Sequence, residues 1–261
     1  MTTYGSLAGD LRGTDDLRPP LVLLHGLTFD RTTWQPALDA LQRIDPDRRL
    51  LSLDLPGHGK SAPRDSYRMA ETVERVREAV TEVGFVAPVL VGHSLGAVVA
   101  TIYATEWPVT GVVNVDQPLD VTAFAELVRS LEDRLRGPDF PELWSMFEAS
   151  FHTELLPAEA QRLVRSTSPV RQDLVLGYWN QIFELPTAEL NALVDDALAD
   201  LRERRLNYTY VSGNAVDPTY VQWLKARLPD AEIVSWPDSS HFPHLAHPEQ
   251  FAAILDRTAD W

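Results

Sequence analysis

Gly92-His93-Ser94-Leu95-Gly96 offers the clearest chemistry in this chain. It directly follows the apolar run Val89-Leu90-Val91 and directly precedes a helical run. Small residues at both glycine positions permit a strand-to-helix turn so tight that the central residue takes strained backbone angles. The serine hydroxyl then stands above the end of a sheet, at the amino end of a helix whose dipole favours developing negative charge. Taken alone, the pentapeptide also reads as a glycine-rich turn with an inert serine. The strand before it and the helix after it favour a nucleophile.

A hydroxyl needs a base, usually a histidine oriented by a carboxylate. Of the 7 histidines, His25, His58 and His93 sit in glycine-containing turns and read as turn-stabilising or packing residues. His152 falls in a helical stretch without an arguable partner. His241, His244 and His247 follow the last strand-like run at spacings of three, which raises a metal reading. No cysteine and no carboxylate pair at ligand spacing accompanies them, so no metal is expected. His241 comes first after the strand, in Asp238-Ser239-Ser240-His241-Phe242-Pro243, and is the expected base. The carboxylate has two candidates. Asp217 is the first acid after Tyr208-Thr209-Tyr210-Val211 and is favoured; Asp116, just past Val112–Val115, competes from the neighbouring loop.

These residues need a scaffold that gathers loop ends. Strand-like runs occur at Leu21–Leu24, Leu50–Leu53, Val89–Val91, Gly111–Val115, Tyr208–Val211 and Glu232–Trp236. Helical spacing separates them at Trp34–Ile44, Met69–Val83, Leu95–Glu106, Val216–Leu228 and Pro248–Arg257. That alternation predicts an α/β fold with a mostly parallel sheet covered by helices on both faces. Residues 119–205 break the rhythm with helical stripes, punctuated by Pro138, Pro141, Pro157, Pro169 and Pro186 into four or five helices. The expected organisation is a core of residues 1–118 and 206–261 with a helical cap over 119–205. Trp144 and Trp179 are among the bulky aromatics of this insert. Aromatic stripes at helical spacing are usually core, but an insert over the carboxyl ends of a parallel sheet also lies where ligands bind.

The formal charge of −15, from 23 Lys+Arg against 38 Asp+Glu, opposes phosphate backbones and anionic lipid surfaces. Nucleic acid and membranes are therefore not expected partners; a small-molecule substrate is. Val83–Thr105 is uncharged and long enough to span a bilayer, yet Pro88, Gly92, His93 and Gly96 interrupt it. A buried strand, a sharp turn and a buried helix leave the same trace. Met1–Arg12 lacks a basic start followed by an apolar run, so a cytoplasmic location is the expectation.

Five segments together resemble the α/β-hydrolase superfamily, in particular its capped, esterase-like branch. They are His25-Gly26-Leu27-Thr28, Asp54-Leu55-Pro56-Gly57-His58-Gly59-Lys60-Ser61, Gly92–Gly96, Gly213–Asp217 and His241-Phe242-Pro243-His244. The resemblance implies an eight-stranded, mostly parallel sheet with a helical cap between strands six and seven. It implies Ser94 as nucleophile, His241 as base, Asp217 as its orienter, and an oxyanion hole from the backbone amides of Leu27 and Leu95. Thr28 and Phe242 of these segments, with Trp144 and Trp179, are the expected substrate contacts. The acid segment is one residue longer than the family's common spacing, Ser240 stands where the family often has glycine, and the short N-terminus implies an abbreviated or absent first strand. The implied reaction is hydrolysis of an ester, lactone or thioester of a small to medium apolar substrate through an acyl-enzyme, with no metal or organic cofactor. Carbon–carbon bond cleavage or peroxide-dependent peracid formation could use the same triad, and a receptor with little turnover could use the same fold.

Overall fold

The computed structural model describes residues 2–14, 17–167 and 169–261. Eight strands form one sheet: β1 Thr2–Tyr4, β2 Leu7–Arg12, β3 Leu21–Leu24, β4 Leu50–Leu53, β5 Val89–His93, β6 Gly111–Val115, β7 Asn207–Ser212 and β8 Glu232–Ser235. Their order across the sheet is β1-β2-β4-β3-β5-β6-β7-β8. The pairings of β1 with β2 and of β2 with β4 are antiparallel; the others are parallel. β1 is present and three residues long. The β1–β2 hairpin, turning at Gly5 (φ 56°), has no counterpart in the runs legible from sequence, because its outer strand is exposed and lacks an apolar face.

The central strands are apolar on both faces, as a parallel sheet buried between helix layers requires. Val22, Leu24, Leu90 and Val112 enter one core, while Leu21, Leu23, Val89, Val91, Val113 and Val115 enter the other. On the second face α1 (Gln35–Ile44) and α13 (Pro248–Arg257) pack together, presenting Leu38, Leu41, Phe251 and Leu255. On the first face α2 (Met69–Glu82) buries Val73, Val76 and Val80, the stripe its spacing predicts, beside α3 (Leu95–Glu106). The apolar run Val83–Thr105 is thus accounted for by β5, a turn and α3. Among the described residues no helix is long and apolar enough to cross a membrane.

Between β6 and β7, among the described residues, lie seven α-helices: α4 Thr122–Ser130, α5 Glu132–Arg136, α6 Phe140–Ala149, α7 Ala158–Arg165, α8 Gln172–Tyr178, α9 Asn180–Glu184 and α10 Thr187–Glu203. That exceeds the four or five expected, because the breaks at Leu131 and Trp179 occur without proline. α11 (Pro218–Arg227) begins two residues later than Val216, since Asp217 caps it and Pro218 takes its first turn. α12 (Pro243–Ala246) follows the last loop.

The register aligns Leu24 with Gly92, Gly92 with Asn114, Asn114 with Tyr210 and Tyr210 with Ile233. The loops leaving β3, β5, β6, β7 and β8 therefore depart from one level, and that edge holds the site.

Candidate active site

Ser94 stands between β5 and α3 at φ 49° and ψ −120°, angles that an L-residue takes only when its surroundings enforce them. Enforcement comes from both flanking glycines. A Cβ on Gly92 would lie 2.2 Å from the Gly96 carbonyl oxygen, and one on Gly96 would lie 2.1 Å from that of Leu24. The Ser94 N–H continues the sheet ladder to the Val115 carbonyl at 3.0 Å, which ties the turn to β6. The serine is half-buried.

One register step away, Asp116 leaves β6 with φ 54°. Its Oδ2 accepts from His241 Nδ1 at 2.8 Å, and its Oδ1 accepts from the Gly213 N–H at 2.8 Å and the Ser212 hydroxyl at 3.2 Å. Asp116 is therefore the carboxylate that holds His241, and the favoured candidate Asp217 is not. Asp217 is fully exposed, and its Oδ1 accepts from the N–H (2.7 Å) and hydroxyl (2.6 Å) of Thr219 at the start of α11. Those two hydrogen bonds hold its carboxyl below the usual range. The first acid after β7 is committed to capping, and the acid beside His241 is the one after β6.

With Nδ1–H donated to Asp116, the Nε2 lone pair of His241 is left to accept a proton. The backbone of His241 is held as firmly as its ring. His93 Nε2–H donates to the His241 carbonyl at 2.8 Å, and the His241 N–H donates to the Phe151 carbonyl at 3.0 Å. The former bond ties the serine turn directly to His241. Asn114 secures the Asp116 turn: its amide donates to the Gln117 carbonyl (2.8 Å) and the Tyr208 hydroxyl (2.9 Å), and its Oδ1 accepts from the Gln117 N–H (3.1 Å).

Leu95 opens α3, where a first-turn N–H has no intrahelical acceptor. Leu27 lies in the turn after β3, beside Thr28 at φ 69°. Among the described residues neither amide makes a backbone hydrogen bond in a turn, loop or cap. The Thr28 N–H is occupied, donating to His58 Nε2 at 3.0 Å, while His58 Nδ1–H donates to the Pro56 carbonyl at 3.1 Å. His25 works similarly, Nδ1–H donating to the Gly26 carbonyl at 2.8 Å and Nε2 accepting from the Leu55 N–H at 2.9 Å. These rings fasten the Asp54–Ser61 loop to the turn carrying Leu27. Beneath it Asp54, fully buried, is paired with Arg31 at 2.5 Å and accepts from the Lys60 N–H at 2.8 Å.

The other expected contacts, Phe242, Trp144 and Trp179, are all buried. Phe242 has no exposed surface and packs edge-on against Phe29 and beside His93. Trp144 and Trp179, ring centroids 5.9 Å apart, lie in the aromatic interior of the insert. They belong to the same apolar cluster as Leu27, Leu95 and Leu119.

His244 is completely buried between Trp34 and His93, and burial pushes it down to about 3. His93 and His58 are driven well below 6.5 and His25 is lowered, in each case chiefly by burial, so all four stay neutral imidazoles. His247 is bonded to Ser239 at 2.7 Å and His152 to Glu154 at 3.0 Å. His241 and His244 both lie against His93, at 4.7 and 4.8 Å between ring centroids, while His247 stands apart, and no cluster of three or more potential ligands occurs among the described residues. Sequence reasoning missed Asn114 and Phe151, whose partners are remote along the chain; the polar Asn114 inside an otherwise apolar strand was the available signal.

A family model for the alpha/beta hydrolase family matches residues 21–254, and the chain belongs to that family. It is 30% identical over 253 residues to the pimeloyl-[acyl-carrier protein] methyl ester esterase of Vibrio vulnificus, covering 91% of this chain and 92% of that one. Among solved structures, AqDC, described in recognition and ring cleavage of the Pseudomonas quinolone signal, superposes with a TM-score of 0.78 at 17% identity, covering 100% of this chain and 99% of that one. The enol-lactonase of Burkholderia xenovorans gives 0.68 at 16% identity, covering 98% and 96%. At these identities the structural likenesses speak for the fold alone.

Proposed function

We propose that this alpha/beta hydrolase cleaves carboxylic esters of small to medium apolar substrates through an acyl-enzyme on Ser94. The observation that carries the reading is the 2.8 Å bond from His241 Nδ1 to Asp116, made beside a serine held at φ 49° on a strand-to-helix turn. His241 Nε2 removes the Ser94 proton as the hydroxyl oxygen attacks the ester carbonyl. Asp116 keeps the imidazole in the tautomer with Nε2 unprotonated and stabilises the imidazolium that forms. The amides of Leu27 and Leu95 take the developing oxyanion; losing one such donor costs about 3–4 kcal/mol in comparable sites. His241 then protonates the leaving alcohol, and a water activated by the same imidazole releases the acid.

Two findings support the substrate class. The Vibrio relative acts on a methyl ester, and the bond type is what carries over. Leu27 and Leu95 also share one apolar cluster with Trp144 and Trp179, which favours an apolar acyl or aryl group. The test pairs p-nitrophenyl butyrate hydrolysis with fluorophosphonate labelling and peptide mapping. Label on Ser94, and loss of both label and turnover in Ser94→Ala at an unchanged melting temperature, is the expected result. Full turnover in Ser94→Ala removes the serine from the reaction.

A further inference from the structure

We infer that Phe151, at the end of α6, is a positioning residue through which the insert holds the base in place. The inference rests on the hydrolase reading of His241. Phe151 meets His241 twice. Its carbonyl accepts the His241 N–H at 3.0 Å, and its ring lies over the imidazole with centroids 5.0 Å apart and planes inclined by 21°. Among the described residues this is the one backbone–backbone hydrogen bond that joins the helical insert to the core away from the chain junctions. It lands on the residue whose orientation the reaction depends on.

The surroundings fix Phe151 for this contact. Its ring meets Phe29 and Phe242 edge-on, at 6.1 and 6.2 Å, and joins an apolar cluster of Phe29, Leu156, Ala160, Val164, Phe242 and Leu245. That cluster is separate from the large core beneath the rest of the insert, so Phe151 belongs to a local clamp. The chain reverses immediately afterwards at His152, which takes φ 52°, and the short helical turn Thr153–Leu155 carries it away. His241 is thus held at three points: Asp116 on Nδ1, His93 on its carbonyl, and Phe151 on its N–H and ring face. When the insert sits in this position the base is oriented; displacing residues 149–152 releases one of its three anchors.

The test compares Phe151→Leu, which removes the stack, with Phe151→Tyr, which restores it, in the full chain. For p-nitrophenyl butyrate, Phe151→Leu should lower kcat about three- to tenfold with KM changed less than about twofold, matching the worth of one aromatic stack. Phe151→Tyr should recover most of that loss. Histidine-selective 15N NMR supplies a readout independent of turnover: the His241 Nδ1 proton should exchange with water faster in Phe151→Leu and at the original rate in Phe151→Tyr. Thermal melts confirm folding, and Phe151→Met replaces the leucine variant should that one not fold. Unchanged exchange, an unchanged kcat, or a rise in KM alone overturns the inference, the last making Phe151 a substrate contact. Absence of Ser94-dependent turnover in the unaltered protein sinks the hydrolase reading instead, and the exchange rates then decide whether Phe151 holds the histidine.

Discussion

Replacing each of two aspartates by asparagine separates the proposed triad from its nearest alternative. At Asp116, Oδ1 already takes two donors, the Gly213 N–H at 2.8 Å and the Ser212 hydroxyl at 3.2 Å. An asparagine keeps those bonds only with its carbonyl oxygen on that side, which turns its NH2 toward His241 Nδ1. The opposite orientation sets NH2 against the Gly213 N–H and leaves a buried donor unsatisfied, a cost of about 1–3 kcal/mol. The first orientation therefore prevails. It forces Nδ1 to accept, moves the imidazole proton to Nε2, and presents Ser94 with a donor where it needs a base. The equivalent tautomer error in a serine protease lowers kcat roughly 10⁴-fold, about 5.5 kcal/mol of barrier, and a loss of 10³–10⁴ is expected for Asp116→Asn. Asp217→Asn leaves an equally good cap on α11 and touches nothing at the site, so activity should stay within about twofold. The assay is p-nitrophenyl butyrate turnover with circular dichroism melts on both variants. Asp116→Asn retaining more than about a tenth of activity, or Asp217→Asn falling to the level expected for Asp116→Asn, refutes the assignment.

Acid should unfold this protein early. His25, His58, His93 and His244 are all held below 6.5 when folded, mainly by burial, and regain ordinary values when unfolded. Below about pH 6.5 the unfolded chain binds protons that the folded chain refuses, so stability falls with pH at up to about 1.4 kcal/mol per unit per histidine. His244 contributes over the window from 6.5 down to its folded value of about 3. His244→Phe also removes two buried nitrogens without partners, so urea midpoints should rise, more at pH 5 than at pH 7; an unchanged pH dependence counts against this account. Gly92→Ala drives a Cβ to 2.2 Å from the Gly96 carbonyl oxygen, and a loss of more than about 3 kcal/mol with collapse of fluorophosphonate labelling is expected; a melting temperature within a degree or two of the parent refutes the steric argument.

The strained turn at Ser94 and the placement of His241 at the strand edge were legible because their signals are local. A serine between two glycines, after an apolar run and before a helix, states its own geometry; a histidine first after the last strand does nearly as much. Which carboxylate meets His241 was not, because two loops at one edge each supply an aspartate and the choice depends on what else each must do. Pro218 starts a helix that needs a cap, and Asp217 supplies it. Asp116 is freed for His241 by a turn that Asn114 secures through Tyr208, 94 residues away. The same distance effect hid Phe151, whose contact with His241 no local pattern encodes. The core strands were readable from runs buried on both faces, whereas the β1–β2 hairpin carries no such run.

Backbone strain follows the site. Thr28, Ser94, Asp116, Asp238 and Ser240 all have positive φ, and they lie in the turns that follow β3, β5, β6 and β8; His152 beside Phe151 is another, and Arg205, before β7, lies away from this edge. Each such residue costs about 1–3 kcal/mol and persists only where its surroundings over-determine it. Here the over-determination is the register: His93 pairs with Val115 and Val115 with Val211, so Ser94 and Asp116 leave the sheet at the same level and reverse within one residue. A single-residue reversal lifts a side chain above the edge instead of along the strand. A one-residue slip of β5 against β6 would carry Ser94 away from Asp116 and exchange the two core-facing sets of β5. The apolar packing on the two faces of the sheet therefore fixes the spacing of the proposed triad, and the strained turns convert that spacing into direction.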